Sequence, residues 1–367
     1  MPRSTSDRTC QLPLHASTLN GVMISIVSPG KSVASGKMHP GNENGDSPAI
    51  AVCIPVYNDW HVVQLLLAEM DRLAEKSGDK LSVVLIDDGS TEPCPETLDI
   101  VLHQLERIQV VHLRRNVGHQ RAIALGLCFI HEAVPAALTV VMDADGEDRP
   151  ADIWALIDRC RQSQERCIVF ARRTKRTEGI VFRLSYTGYK LLHRVLVGTG
   201  VEVGNFSIVP RALLDRLVGI SELWNHYAAA VFHARLPLEK VPLARGERLA
   251  GRSKMNFISL VTHGMSAISV YGDVVGVRML FLSAVLLALA LVGLVAVVGI
   301  RLLTDLAIPG WATNAAGLLL GSSLSLLLLM VVFVQIILQS RNQAQFLPLR
   351  DWRYYVASHR TLHERAQ

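Results

Sequence analysis

The stretch Val140-Val141-Met142-Asp143-Ala144-Asp145-Gly146-Glu147-Asp148 decides how this chain is read. Its lead-in, Ala137-Leu138-Thr139 followed by three apolar residues, reads as the end of a buried parallel strand. Carboxylates at alternate positions come next, Asp143 and Asp145. A strand running out into a turn projects such side chains into the crevice beyond the carboxyl edge of a sheet, where α/β folds bind ligands. Two hard oxygen donors suit Mg²⁺ or Mn²⁺, which bridge one or two carboxylates to substrate phosphates. A polar turn after a strand has the same composition, so the pair gains its weight from its surroundings.

With 367 residues the chain has room for one large domain plus attachments. Half the residues are apolar and mean hydropathy is +0.30, and two long uncharged runs near the carboxyl end account for both. A net charge of +5 and a pI near 8.9 fit anionic substrates or an anionic membrane face. Beyond that mild basicity nothing supports nucleic-acid binding. The six cysteines, Cys10, Cys53, Cys94, Cys128, Cys160 and Cys167, form no C-x-x-C pair or metal spacing. They point to a reducing compartment without disulfides.

Outward from the acidic stretch, strands and helices alternate. Residues 1–47, rich in Ser, Gly, Pro, His and Asn, read as a flexible tail without a signal-peptide core. Ala49 to Val56 is a short β-rich run ending in Tyr57-Asn58-Asp59, and Trp60 to about Lys76 carries helical spacing. Leu81 to Ile86 is a second strand, breaking off into Asp87-Asp88-Gly89-Ser90-Thr91. A helical segment is expected to about Arg107, then the strand Val110 to Leu113, then Asn116-Val117-Gly118-His119 opening an apolar helix. Such alternation predicts a parallel sheet covered on both faces, with its polar turns on one edge. Asp148, ahead of Arg149-Pro150, is either a metal-proximal ligand or, the favoured reading, the N-cap of a helix starting near Ala151. Cys167 to Ala171 is a further strand ending in the basic run Arg172 to Arg176, which either faces solvent or holds phosphate. Phe182 to Val197 is amphipathic and fits either the sheet or a bilayer surface.

Pro55-Val56-Tyr57-Asn58, Asp87-Asp88-Gly89-Ser90-Thr91, Asn116-x-Gly118 and Asp143-x-Asp145 together resemble the ordered signature of glycosyltransferase family 2 over residues 50 to 275. The resemblance implies a GT-A fold, a Rossmann-like and mostly parallel sheet. It implies a nucleotide-sugar donor, a UDP- or GDP-sugar, held by Pro55, Tyr57, Asn58, Asp87, Asp88, Asn116, Gly118, Asp143 and Arg172. Turn chemistry alone explains Pro55 and Asn116 equally well. It implies Mg²⁺ or Mn²⁺ on Asp143 and Asp145, and inversion at the anomeric carbon. Gly204-Asn205-Phe206-Ser207-Ile208-Val209-Pro210-Arg211 and Glu247-Arg248-Leu249-Ala250-Gly251-Arg252-Ser253-Lys254 resemble the branch of dolichyl-phosphate mannose synthase and bactoprenol glucosyltransferase. That branch implies a polyisoprenyl phosphate acceptor, held by Arg211, Arg248, Ser253 and Lys254, with Asp145, Asn205 and Arg248 at the reaction centre. Many members carry Asp where this chain has Asn205. Members often assemble as homo-oligomers.

Phe257, Val261, Met265 and Ile268 form one helical stripe, which suits a helix in the membrane interface over residues 256–277; a buried core helix is the rival. Met279 to Ile300 is an uncharged run of 22 residues, about 33 Å as a helix, and Ala315 to Leu338 is a second. They predict a two-helix transmembrane hairpin over 278–340, followed by a basic and aromatic tail, 341–367, resting at the lipid headgroups. Arg252, Lys254 and Arg278 before the spans, and Arg341, Arg350, Arg353 and Arg360 after them, place both termini and the catalytic domain, 48–255, in the cytoplasm, with a bacterial inner membrane as the setting.

The sequence therefore predicts a membrane-anchored, metal-dependent glycosyltransferase moving one sugar onto a lipid phosphate. A processive polysaccharide synthase is the nearest rival, but the Gln-x-x-Arg-Trp pattern of that branch is missing. Transfer to another lipid acceptor is a second rival. A non-catalytic nucleotide-sugar-binding scaffold is a third, favoured by Asn205 and opposed by the intact D-x-D.

Overall fold

The computed structural model describes residues 49–173, 196–198, 203–244, 246, 248, 257–304, 310–342 and 346–365. The expected tail, nearly all of the amphipathic stretch 182–197, and Ser253 and Lys254 lie outside the described residues.

Eight strands form one sheet. In chain order they are β1 (Ile50–Val56), β2 (Leu81–Asp87), β3 (Leu105–Leu113), β4 (Leu138–Val141), β5 (Ile168–Arg173), β6 (Ser207–Pro210), β7 (Leu238–Leu243) and β8 (Val356–Glu364). Their order across the sheet is β7-β5-β6-β4-β1-β2-β3-β8. The pairs β1–β2, β1–β4, β2–β3 and β5–β7 are parallel, and β6 runs antiparallel between β4 and β5. The chain moves from β1 through β2 to β3 and then restarts on the other side of β1 with β4. That reversal, between the carboxyl ends of β1 and β4, is where open α/β sheets bind ligands.

Alternation along β1 explains the two-sided core. Ile50, Val52, Ile54 and Val56 pack with α1 (Trp60–Ser77) and α3 (Asp152–Gln162), while Ala51 and Cys53 face α2 (His119–Ala133). The described cysteines are free, and burial pushes the thiols of Cys53 and Cys160 up to about 12.

No helix fills the segment between Thr91 and β3, contrary to the sequence expectation. Pro93 and Pro95 deny it backbone donors. Asp71 of α1 captures the donors that follow, accepting from the N–H groups of His103 at 3.0 Å, Gln104 at 2.7 Å and Leu105 at 2.9 Å. Burial raises the Asp71 carboxyl, but these three donors outweigh it and hold the group below its ordinary value. Asp71→Ala is expected to lower stability by about 2–3 kcal/mol by orphaning those donors. A depressed folded pKa means the contribution is full above the unfolded carboxylate value and fades as pH falls through the folded one. Chemical denaturation at neutral and acid pH checks this: the gap between mutant and wild type narrows in acid.

After β6 come α4 (Arg211–Val218) and α5 (Tyr227–His233); beyond β7 stand α6 (Phe257–Ser269), α7 (Gly272–Leu303) and α8 (Trp311–Asn342). The helices α7 and α8 are long and apolar enough to cross a membrane, each with an 18-residue stretch of mean hydropathy 2.9 and 2.5, respectively. Only 11% and 6% of those stretches are buried within the chain, so their leucine and valine faces are left outward. Gly276 lies against Ile337 and Gly293 against Leu319, an antiparallel hairpin. On α6, Ile268 is buried while Met265 is exposed.

The basic, aromatic segment after the hairpin, expected as a tail, is folded against the sheet. Residues 346–365 fold back on the sheet, and β8 pairs antiparallel with β3 from Arg107↔Glu364 to Leu113↔Val356. Trp352 is buried edge-on to Phe129, with its Nε1 donating to Glu132 at 3.0 Å. Trp224, Phe346 and Tyr355 stack together beneath Arg121. Backbone pairing carries this strand, so it needs no apolar alternation, and its charges suit an exposed sheet edge.

Candidate active site

The turn after β4 is held by its own carboxylates. The Asp143 N–H donates to Asp148 Oδ2 at 3.1 Å, and the Glu147 N–H donates to Asp145 Oδ1 at 3.0 Å. Asp148 is therefore not the N-cap of α3, which begins at Asp152 without a side-chain cap; it is buried beneath the turn and shapes it. The loop after β7 is tied to this turn. The Gly246 N–H donates to Glu147 O at 2.9 Å, and a Cβ on Gly246 would come within 2.9 Å of Gly146 O. Two residues on, the Arg248 guanidinium lies 2.8 Å from Asp145 Oδ2 and 3.3 Å from Glu147 Oε1. Gly246→Val should force the loop away and cost roughly tenfold or more in turnover, since even small misplacement of a positioning group is costly. Steady-state kinetics beside an unchanged melting temperature would check it.

Burial raises the Asp145 carboxyl. The Glu147 N–H opposes that, the charges of Asp143 and Glu147 add to it, and Arg248 offsets part of it. The loops after β1 and β2 close the neighbouring wall. Asn58, with φ of 54°, accepts from the N–H groups of Thr91 and Glu92 and donates to Thr91 Oγ1, while its own N–H donates to Ser90 Oγ. Asp87 accepts from the Ser90 N–H at 2.9 Å and meets His112 Nδ1 at 2.8 Å. Asp88 accepts from the N–H groups of Val117 at 2.7 Å and Gly118 at 3.0 Å, at the start of α2. Burial nevertheless keeps its carboxyl raised. Gly89, at φ of 67°, would place a Cβ 2.6 Å from Asn116 N, so only glycine lets these two loops meet.

The amino end of α2 and the residues before β6 complete the site. His119 Nε2 lies 3.1 Å from Asp143 Oδ1 and 3.0 Å from Asn205 Nδ2. Desolvation lowers the imidazole pKa, but Asp143, Asp88 and Asp145 outweigh it and leave it raised. Asn205 Oδ1 accepts from Gln120 Nε2 at 3.0 Å, and Gln120 Oε1 accepts from the Tyr227 N–H at 2.8 Å.

The reversal point thus carries an acidic turn flanked by an arginine and by two polar loops. Residues 51–218 match the model of glycosyl transferase family 2. This chain carries a family 2 glycosyltransferase domain. Its sheet has the mostly parallel GT-A arrangement, and the two apolar helices follow it. The uncharacterized glycosyltransferase YkcC of Bacillus subtilis (strain 168) is 25% identical over 287 residues, covering 77% of this chain and 86% of that protein. The undecaprenyl-phosphate 4-deoxy-4-formamido-L-arabinose transferase of Photorhabdus laumondii is 27% identical, over 66% of this chain and 77% of its own. Among solved structures, glucosyl-3-phosphoglycerate synthase from Mycobacterium tuberculosis in complex with Mn²⁺, UDP and glucosyl-3-phosphoglycerate is 15% identical, with a TM-score of 0.44. That match covers 62% of this chain and 80% of that one.

Within the glycosyltransferase domain the expected residues separate into groups. Asp143, Asp145, Asn205 and Arg248 come together around the turn. Pro55 is buried at the end of β1, Tyr57 beside it is 40% exposed, and Asn116 and Arg172 are exposed, the latter near the carboxyl end of β5. Asn58 and Asp88 bind backbone donors of neighbouring loops and so build the wall. Arg211 is a correction. Its guanidinium donates to the carbonyls of Ile130, His131 and Val134, capping the far end of α2, whose amino end carries His119. That helix is about 22 Å long, so Arg211 stands apart from the acidic turn and its neighbours. His119, Gln120 and Gly246 belong to the site and were not singled out from sequence. A cavity of about 430 Å³ at the amino edge of the sheet, lined by Ile50, Ser82, Arg107 and Glu364 among others, contains none of the motif residues.

The donor set fits a divalent cation. Among the described residues no group of three or more His, Cys, Asp and Glu side chains forms a metal site by itself. Two carboxylates with crowded negative charge suit Mg²⁺ or Mn²⁺, which complete their shells with water and substrate phosphate. A closed zinc site would need four protein ligands.

Proposed function

We propose that this glycosyltransferase moves one sugar from a UDP- or GDP-sugar to a polyisoprenyl phosphate, with inversion, at the cytoplasmic face of a bacterial inner membrane. The observation that carries the reading is the contact of Arg248 with the Asp143-x-Asp145 turn, 2.8 Å from Asp145. It sets a phosphate-binding group beside a diphosphate-binding one, the spacing that a donor and a phosphate acceptor require. The name of the Photorhabdus relative supports undecaprenyl phosphate as the acceptor class. The fold supports the topology: β7 precedes the hairpin, β8 follows it, and both belong to one sheet. Two crossings between them bring the chain back to the side it left. The positive flanks make that side the cytoplasm.

Asp143 and Asp145 would hold Mg²⁺ or Mn²⁺, which as a Lewis acid neutralises charge developing on the leaving diphosphate. Asp87 and Tyr57 line the nucleoside side. Asp88 and Asn58 hold the loops that shape it. Arg248, with Ser253 and Lys254 carried over from the family pattern, holds the acceptor phosphate. That phosphate is itself the nucleophile and is mostly dianionic near neutral pH, its second pKa being about 6. Single displacement then needs no base, and Asn205 can serve where relatives use Asp. Holding the oxygen in line with the anomeric carbon supplies most of the acceleration.

Mass spectrometry of the lipid product tests this reading against its rivals. Undecaprenyl phosphate, undecaprenyl diphosphate and diacylglycerol would be offered in parallel, with Mg²⁺ or Mn²⁺ and a mixture of UDP- and GDP-sugars, to the enzyme in detergent. A monoglycosylated undecaprenyl monophosphate supports the proposal; a glycosylated diacylglycerol or diphosphate product refutes it.

A further inference from the structure

Asn205 is where this chain departs from the family pattern, and its surroundings decide which amide atom faces the reaction. A backbone N–H can only donate. That of Tyr227, which is buried, donates to Gln120 Oε1 at 2.8 Å, so the Gln120 NH₂ is the end that meets Asn205. A donor at 3.0 Å requires Asn205 Oδ1 to face it. The Asn205 NH₂ is thereby turned toward Asp143 Oδ1 at 3.5 Å and His119 Nε2 at 3.0 Å, the latter accepting in the imidazole tautomer whose proton sits on Nδ1. Turning Asn205 over would set two NH₂ groups against each other. Turning Gln120 as well would set its NH₂ against the Tyr227 N–H. The same tyrosine holds the Asn205 main chain: Ser207 Oγ donates to Asn205 O at 2.8 Å and accepts from the Tyr227 phenol at 2.7 Å. Burial raises that phenol, so it remains a donor.

We propose that Gln120 is a positioning residue, which transmits the polarity of the Tyr227 N–H so that residue 205 presents a hydrogen-bond donor to the Asp143 side of the site. Its substrate consequence rests on the proposed lipid-phosphate reaction: the donor serves an anionic phosphate oxygen and cannot take up a proton. Asn at 205 is then a fixed NH₂ group where an Asp would present a charged acceptor.

Gln120→Glu separates polarity from packing. The carboxylate it introduces still accepts from the Tyr227 N–H, yet it offers residue 205 an acceptor, so the Asn205 amide turns and Oδ1 faces Asp143. The full-length protein in detergent would be titrated with Mn²⁺, read by electron paramagnetic resonance, as wild type, Gln120→Glu, Asn205→Ala and the double variant. With Asn205 present the substitution should tighten Mn²⁺ roughly tenfold and raise the acceptor KM by a similar factor. In the Asn205→Ala background the change should stay below roughly threefold, the effect of the added charge alone. Equal changes in both backgrounds would overturn the proposal. Asn205→Asp is the second arm, since it leaves Gln120 and Tyr227 bonded. It should shift Mn²⁺ affinity and acceptor KM in the same directions, and no shift in either would also overturn it. The Mn²⁺ titration decides the matter even if wild type glycosylates no lipid phosphate, an outcome that would refute only the proposed reaction.

Discussion

Asp145→Ala is expected to lower sugar transfer by about 10³-fold, near the upper range for loss of a single charge-stabilising group. The carboxylate has two tasks in this geometry. One oxygen accepts from the Glu147 N–H and fixes the turn; the other meets Arg248. Burial and the neighbouring Asp143 and Glu147 charges make it a costly anion. A divalent cation relieves that cost, so the alanine should weaken Mn²⁺ binding together with turnover. Asp145→Asn keeps the shape and one acceptor oxygen but not the charge, and should lose nearly as much. Single-turnover rates at saturating donor, beside a Mn²⁺ titration, separate this from misfolding. Near-normal transfer by either variant would mean that the turn is structural.

Arg248→Ala should act in two opposed directions. Removing the guanidinium should lower kcat/KM for the lipid acceptor by about 10²-fold, the scale of a lost charge-assisted phosphate contact. It should also tighten Mn²⁺, because the guanidinium 2.8 Å from Asp145 no longer competes for that oxygen. Arg248→Lys should restore only part of the acceptor effect: a single nitrogen, Nη2, meets both Asp145 and Glu147, which leaves the rest of the guanidinium's planar donor set for phosphate, and an ammonium has no such set. Steady-state kinetics with varied acceptor, and the metal titration, check both signs. A loss of Mn²⁺ affinity would show that Arg248 supports the acidic turn rather than competing for it.

Much of this was legible in the sequence because parallel strands and their edge turns are local. Val140 to Asp145 sets a strand and its acidic end within six residues, and Asp87 and Asp88 repeat the pattern two strands earlier in the chain. What escaped were long-range partners. Gln120 reads as one polar residue on an apolar helix, and only the fold brings Asn205 and Tyr227 to it. Arg211 fits a motif by spacing, but its reach is taken by carbonyls at the far end of α2. Asp148 carries the signature of a helix cap, yet the Asp143 N–H, five residues back, claims it. The strand β8 has little apolar alternation, because backbone pairing to β3 holds it, and no local pattern records a partner about 250 residues away in the chain.

The central claim is transfer to a lipid phosphate from one nucleotide sugar. Purified protein in detergent, with Mg²⁺ or Mn²⁺ and undecaprenyl phosphate, would be offered a panel of radiolabelled UDP- and GDP-sugars, and label counted in the organic phase. Label from one donor, abolished by chelation and by Asp145→Ala, is the expected result and names the sugar. Metal-dependent binding of a donor with no label passing to lipid would contradict the claim and favour a binding role.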